Sequence, residues 1–174
     1  MGLDMYLEKQ TYVGNKWKEP KEQIKIEVEG IKQERVSSIV EEVGYWRKAN
    51  AIHMWFVENV QEGKDDCKMY SVNREQLKTL LDLCREVLVK SDLVEGKINN
   101  GQQMQNGKWV DIKVDGKYIK DTTAAAKLLP TQNGFFFGST DYDEHYYADL
   151  ELTVEILEAA LKEKDGDYHY HSSW

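Results

Sequence analysis

Apolar and polar residues alternate in three parts of the chain, as they do in half-buried strands. Residues 3–13 place leucine and methionine side chains on one side, and residues 24–28 alternate in the same way. The polar connection at 14–20 predicts that these two strands form a hairpin. The final residues, 167–174, alternate aromatic and polar side chains, which predicts an edge strand.

Helical periodicity replaces alternation in the middle of the chain. Apolar residues recur at three- and four-residue steps over residues 36–60, which predicts a helix there. β-branched residues dominate this segment as far as Gly44 and favour a helix less. A second helix is predicted over residues 74–90, because Asn73 and Gln76 match a capping box ahead of a leucine repeat.

The segment 95–120 predicts a hairpin insertion. Its apolar runs at 109–114 and 117–120 flank an Asp115-Gly116 pair, which is typical of a tight turn. The asparagine- and glycine-rich stretch at 99–107 is expected to form a mobile loop.

Two further helices are predicted between this insertion and the last strand. Asp121 or Thr122 caps a short helix that stops before Pro130, and a long helix covers about 140–164. Strands at both ends with helices between them predict an α+β fold. We expect one compact domain over residues 1–174, with a mostly antiparallel sheet that contains both terminal strands, and with three or four helices.

Composition and charge narrow the functional classes. The chain has 174 residues, of which 41% are apolar and 31% charged, so long disorder is excluded. Ten acids and two lysines between Asp141 and Asp167 account for the whole net charge of −8. Because no comparable basic stripe exists, direct DNA or RNA binding is disfavoured. The acidic helix is then either an ordinary solvated surface or a surface that docks on a basic partner.

The sequence also bears on the cellular compartment. No apolar run is long enough to span a membrane, and the first ten residues do not resemble a signal peptide. Cys67 and Cys84 form no CxxC or cysteine-histidine pattern, so free thiols are expected. We therefore expect a cytoplasmic protein that makes no contact with a membrane.

The first candidate site lies within the segment YWRKANAIHMWF, which starts at residue 45. If this segment is helical, Trp46, Asn50 and His53 lie on one strip with Arg47 beside it, and Lys48 is the next cation along the chain. The indole can stack on a planar ring, and the amide and imidazole can pair with the edge of that ring. The two cations are suited to a phosphate.

The second candidate segment precedes the last helix and contains three consecutive phenylalanines between glycines. These phenylalanines predict a short buried strand, and free amides at the helix start can hold a phosphate. The acids at 141–144 oppose an anion and are better explained as helix caps. The residues expected to line a recess on this side are Gln132, Phe136, Gly138, Ser139 and Thr140.

Catalytic chemistry has weaker support in the sequence. His169 and His171 share one face of a predicted strand and, with His145, suit a transition metal only if they converge. A Cys67 nucleophile requires a nearby base such as His53. No nucleophile elbow, zinc-protease motif, P-loop or dinucleotide fingerprint is present. We expect no metal and no cofactor, and leave turnover open while favouring a binding function.

The motifs MGLDMYLEK, EEVGYWRKANAIHMWFVENV, DDC, LLPTQNGFFFGSTDYDEHYY and the terminal SSW together resemble a family of small proteins encoded by bacteriophages and prophages. The resemblance covers nearly the full length. It implies a virus-encoded accessory protein in the bacterial host cytoplasm, and such proteins often counter host defence. It implies no catalytic set.

Three functions are compatible with these observations. The favoured one is sequestration of a small nucleotide-derived ligand, because the uncommon residues cluster in the two candidate segments. The alternative is an acidic inhibitor, a nucleic-acid mimic, whose last helix covers a host defence protein. The third is a nucleotide-processing enzyme that uses His53 or His145 as an acid or base. A homo-oligomer is a further expectation, since the aromatic end strand suits edge-to-edge pairing.

Overall fold

The computed structural model describes residues 2–133 and 140–174. Its helices and strands, in antiparallel sheets, form the α+β fold that the sequence predicted. The strands are β1 (Asp4–Tyr12), β2 (Ser38–Arg47), β3 (Tyr70–Val72), β4 (Leu93–Gln105), β5 (Lys108–Ile119) and β6 (Asp167–Ser173). The helices are α1 (Asn50–Asn59), α2 (Arg74–Val89), α3 (Thr123–Leu128) and α4 (Glu144–Lys162). None of the helices in these two ranges is long and apolar enough to cross a membrane.

The two terminal strands are neighbours at the centre of the main sheet, whose strand order is β2-β1-β6-β3. The prediction that both terminal strands share the sheet is therefore confirmed. The prediction of an edge position for the last strand is wrong, because β6 pairs with β1 on one side and with β3 on the other. Its alternate residues Tyr168, Tyr170 and Ser172 are buried, as expected for an inner strand.

The predicted hairpin between 3–13 and 24–28 is wrong. The first segment is β1, but its partners are β2 and β6, and residues 24–28 form no strand. The cause is the fully buried side chain of Asn15. Its amide donates to the carbonyls of Ile24 and Gln33 and accepts the N–H of Ile24, so this backbone is satisfied in a loop.

The predicted helix over 36–60 is wrong in its first part. That part is strand β2, and α1 begins only at Asn50. Leu7 pairs with Gly44 and Glu8 pairs with Glu42, so Val43 is an extra residue in a β-bulge. The bulge shifts the alternation by one position and leaves apolar residues at helix-like spacing.

The strand-to-helix junction follows at Lys48, which adopts a left-handed φ of 61°. Its N–H donates to the carbonyl of Leu3. Trp46 thus belongs to β2, whereas Asn50 and His53 belong to α1. The single helical strip expected from the sequence does not form.

The helix starts follow local capping rules. Asn73 and Gln76 form the predicted capping box at the start of α2. The long helix α4 starts at Glu144, later than predicted, because the extended Asp143 is its cap. One Asp143 carboxylate oxygen accepts the N–H groups of His145 and Tyr146, as expected for a structural role.

A second, two-stranded sheet consists of β4 and β5. The predicted turn at Asp115-Gly116 is wrong, because Gly116 lies inside β5 directly opposite Gly96. The turn is at Asn106-Gly107, where both φ angles are positive, as a two-residue hairpin requires. Residues 100–111 are exposed throughout. The mobility expected for this stretch stays a prediction.

One core fills the space between the main sheet and the helices. Its large, fully buried members include Met5, Leu7, Trp46, Phe56, Leu80, Leu157 and Tyr170. All four helices contribute buried residues to this core. They therefore lie on one face of the main sheet, and no helix of the described residues covers the other face.

Candidate functional site

Trp46 is part of the core. Its side chain is fully buried, and its indole N–H donates to the hydroxyl of Thr153 over 2.9 Å. That hydroxyl in turn donates to the carbonyl of Asp149 in the preceding turn of α4. The ring packs at an angle against Phe56, with centroids 6.1 Å apart. The Trp46 side chain thus connects β2 to α4. A ligand could stack on this indole only by displacing the side chains packed around it.

The two predicted cations do not lie beside His53. Arg47 is exposed on the sheet face opposite Trp46, with its Nε 3.9 Å from a carboxylate oxygen of Asp4. Lys48 occupies the junction, and Asn50 donates its N–H to the Lys48 carbonyl. Of the predicted strip, only Asn50 and His53 share one helix.

His53 lies at the centre of a polar cluster that is buried on the side of Tyr170 and open to solvent on the side of Asp65. Its Nδ1 is 2.7 Å from the Tyr170 hydroxyl, and its Nε2 is 3.2 Å from a carboxylate oxygen of Asp65. The second distance is that of an ion pair, but its angle does not make a hydrogen bond. The other oxygen of Asp65 accepts the indole N–H of Trp174. The Tyr170 ring stacks on Phe56 with centroids 3.9 Å apart.

Charge and burial decide where the protons lie in this cluster. The Asp65 carboxylate favours a proton on His53 Nε2, which leaves Nδ1 to accept the Tyr170 O–H. Burial, and then the negative charges that Asp65 and Cys67 can carry, raise the pKa of Tyr170 well above its ordinary value. The phenol is therefore a permanent donor. The cluster joins α1, the loop after it and β6.

The two cysteines differ in environment. Cys67 is exposed in the loop after α1, with a left-handed φ of 55°. The described contacts include no hydrogen bond between Cys67 and His53, so the covalent hypothesis stays a prediction. Cys84 is buried in α2, and desolvation raises the pKa of its thiol to about 12. Cys84 is therefore an inert core residue.

The second predicted segment is described only at its ends. Gln132 is half-buried, and Thr140 is exposed, with its carbonyl accepting the Thr131 hydroxyl over 2.9 Å. Phe136, Gly138 and Ser139 lie outside the described residues. The predicted recess between this segment and α1 stays a prediction.

The remaining histidines do not form a metal site in the ranges 2–133 and 140–174. No group of three or more histidine, cysteine, aspartate or glutamate side chains converges there to hold an ion. His171 instead stacks on Tyr6 with centroids 4.7 Å apart and lies 3.4 Å from Glu8. His145 is exposed on α4.

Several acids in and next to the last helix form ion pairs with other parts of the chain or are partly buried. Glu158 pairs with Arg85 over 2.7 Å, and Glu163 pairs with Lys9. Asp149 is half-buried, and burial, together with the nearby charge of Asp143, raises its pKa to about 7. A fraction of Asp149 is therefore protonated at neutral pH. The surface of α4 is less acidic than its formal charge indicates.

A separate strip of α4 faces solvent. It consists of Ala148, Glu151, Leu152, Glu155 and Ala159, all exposed, which we call the α4 surface. The spacing 148, 152, 155, 159 places these residues along one helix face. Among the described residues, neither Glu151 nor Glu155 forms an ion pair, so both carboxylates are available. The sequence shows where the acids are, but it does not show which of them form ion pairs or become partly buried in the folded chain.

Comparison with known proteins identifies no relative: no family model, no curated protein and no solved structure matches the chain.

Proposed function

We propose that the protein is a phage accessory protein that counters host defence by binding a basic protein surface through its α4 surface. One observation carries the proposal: Glu151 and Glu155 are exposed and unpaired beside the exposed Leu152. Leu152 can form the apolar centre of a contact, and the two carboxylates can lie at its polar rim, which is the arrangement of a protein interface. The two alanines of the strip allow a partner to approach the helix closely.

The electrostatics supports a basic partner. Carboxylates that no cation of the chain neutralises attract lysine and arginine side chains and speed association. Because these pairs lie at the rim of the contact, salt screens them, and the complex is expected to weaken as ionic strength rises. The phage context rests on the resemblance of the sequence motifs.

Nucleotide sequestration, the function favoured by the sequence, has less support. It needs Trp46, Asn50 and His53 to line a recess with the segment around Phe136. The Trp46 indole is hydrogen-bonded to Thr153, and the His53 ring contacts Tyr170 and Asp65. No described contact favours this function over protein binding, so it serves as the competing outcome of the test.

The test measures phage growth in a defence-carrying host that produces the protein. Glu151→Lys with Glu155→Lys is expected to abolish protection. Glu27→Lys with Glu29→Lys makes the same change in net charge on an exposed loop, and is expected to protect fully. Asn50→Ala, which leaves the His53 contacts in place, is expected to protect as well. Full protection by the α4 variant, with loss in an Asn50→Ala variant that circular dichroism shows to be folded, would favour sequestration instead.

A further inference from the structure

The main sheet has one face that the described helices leave uncovered, which we call the outer face. It carries the residues that alternate with the buried ones on three neighbouring strands. They include Asp4, Tyr6 and Glu8 of β1, Tyr45 and Arg47 of β2, and His171 of β6. This face lies across the sheet from the helix layer that contains the α4 surface.

Three planar rings form a row across the outer face. Tyr6 is the register partner of Tyr45 on one side and of His171 on the other. The Tyr6 ring stacks on His171 at 4.7 Å with only 16° between the planes, and its centroid is 5.5 Å from that of Tyr45. Tyr45 remains 41% exposed. Because Tyr6 is packed between the other two rings, Tyr45 is the tyrosine of this row that a ligand can reach.

Carboxylates flank this row. Asp4 accepts the Tyr45 hydroxyl, Glu8 lies beside His171, and the exposed Glu42 is the register partner of Glu8. Arg47 is the permanent cation of this group, and its Nε is 3.9 Å from Asp4. The three carboxylates outnumber the one guanidinium, so this part of the outer face attracts a cation.

We propose that the outer face binds an arginine-bearing extended segment of a partner protein. A guanidinium is planar and weakly hydrated, so it can stack on the exposed Tyr45 ring while pairing in bidentate fashion with the exposed Glu42 carboxylate. A lysine ammonium supplies the positive charge but has no planar group that stacks on a ring and pairs in bidentate fashion. Single-stranded nucleic acid also stacks on sheet aromatics, but its phosphates would meet Asp4, Glu8 and Glu42. The inference is independent of the proposed role of the α4 surface.

The test titrates the full chain with fluorescein-labelled peptides and follows anisotropy. The peptides have one length and alternate glycine with arginine, with lysine or with glutamate, and a labelled oligo-dT is the nucleic-acid probe. The arginine peptide is expected to bind at least about fivefold more tightly than the lysine peptide, and the other two probes are expected not to bind. Equal binding of the two basic peptides, or tighter binding of oligo-dT, would overturn the proposal.

Variants locate the binding on the outer face. Tyr45→Ala is expected to weaken binding of the arginine peptide about tenfold, whereas Tyr45→Phe keeps the ring and most of the affinity. Glu42→Lys, at an exposed position, is expected to weaken binding similarly and provides a second test if Tyr45→Ala fails to fold. Glu27→Lys with Glu29→Lys, on an exposed loop, is the matched control and is expected to leave the affinity within about twofold. Unchanged binding in folded Tyr45→Ala or in Glu42→Lys would place the peptide elsewhere and overturn the proposal.

Discussion

The Nδ1 of His53 lies 2.7 Å from the hydroxyl of Tyr170, a residue 117 positions later in the chain. Both side chains are buried, so this bond ties α1 to the last strand where water cannot replace either partner. The cluster around it connects α1, the loop after it and the last strand. Removing the bond between His53 and Tyr170 is therefore expected to lower the stability of the fold.

Tyr170→Phe keeps the ring that stacks on Phe56 and deletes only the hydroxyl. His53 then loses the donor to Nδ1 in a buried site, so the free energy of unfolding is expected to fall by about 1–3 kcal/mol. Denaturant unfolding measures the change. Tyr12→Phe, on an exposed ring, is the matched control and is expected to stay within about 0.5 kcal/mol of the wild type. Equal stability of the two variants would contradict the buried bond.

Thr153→Val removes the hydroxyl that accepts the Trp46 indole N–H and preserves the side-chain shape. The buried N–H is then unsatisfied, and a loss of about 1–3 kcal/mol in unfolding free energy is expected. Chemical unfolding followed by tryptophan fluorescence measures it. Thr79→Val, at an exposed position of α2, controls for replacing a helical threonine. If the Thr153 variant matched this control, Trp46 would not be fixed by the core as described.

Asp149 is expected to make stability depend on pH. Its folded pKa of about 7 lies above the ordinary aspartate value of 3.8, so between these values the folded protein binds more protons than the unfolded chain. The contribution of Asp149 is neutral below this window, and it destabilises the fold progressively as the pH rises through it. Asp149→Asn is therefore expected to gain stability relative to the wild type from pH 4 to pH 7.

Thermal unfolding at several pH values checks this prediction. Glu151→Gln, an exposed acid two residues away, serves as the control and is expected to follow the wild-type curve closely. Parallel curves for the wild type and Asp149→Asn would mean that Asp149 has an ordinary pKa in the fold.

The two thiols are expected to react differently. Cys67 is exposed, whereas Cys84 is buried with its pKa raised to about 12, so a maleimide should label one thiol per native chain and both after denaturation. Mass spectrometry counts the adducts, and Cys67→Ser identifies the site. Labelling of Cys84 in the native protein would contradict the packing of α2.

Local signals predicted the parts of the fold that depend on neighbouring residues. The capping box of Asn73 and Gln76 marks the start of α2, and simple alternation marks β1 and β6. Strand β2 was mistaken for a helix because of the bulge at Val43. The inserted residue changes the two-residue period of a strand into apolar spacings of three and four residues. Periodicity alone cannot distinguish this pattern from a helix.

The candidate site was harder to predict, because its contacts are distant in sequence. Tyr170, Asp65 and Trp174 surround His53 and were not expected as its partners. Alternation identifies Tyr170 as buried, but no local pattern indicates that it faces α1. The ten acids between Asp141 and Asp167 are evident from the sequence. Two of them, Glu158 and Glu163, form ion pairs with Arg85 and Lys9, and the sequence gives no sign of this pairing.

The most direct test of the proposed function measures, at low and high salt, the affinity of the purified chain for the host protein that it is proposed to bind. The account predicts that binding weakens steeply as salt rises and is lost in Glu151→Lys with Glu155→Lys, while Glu27→Lys with Glu29→Lys binds like the wild type. Salt-independent binding that survives the α4 reversal would contradict it.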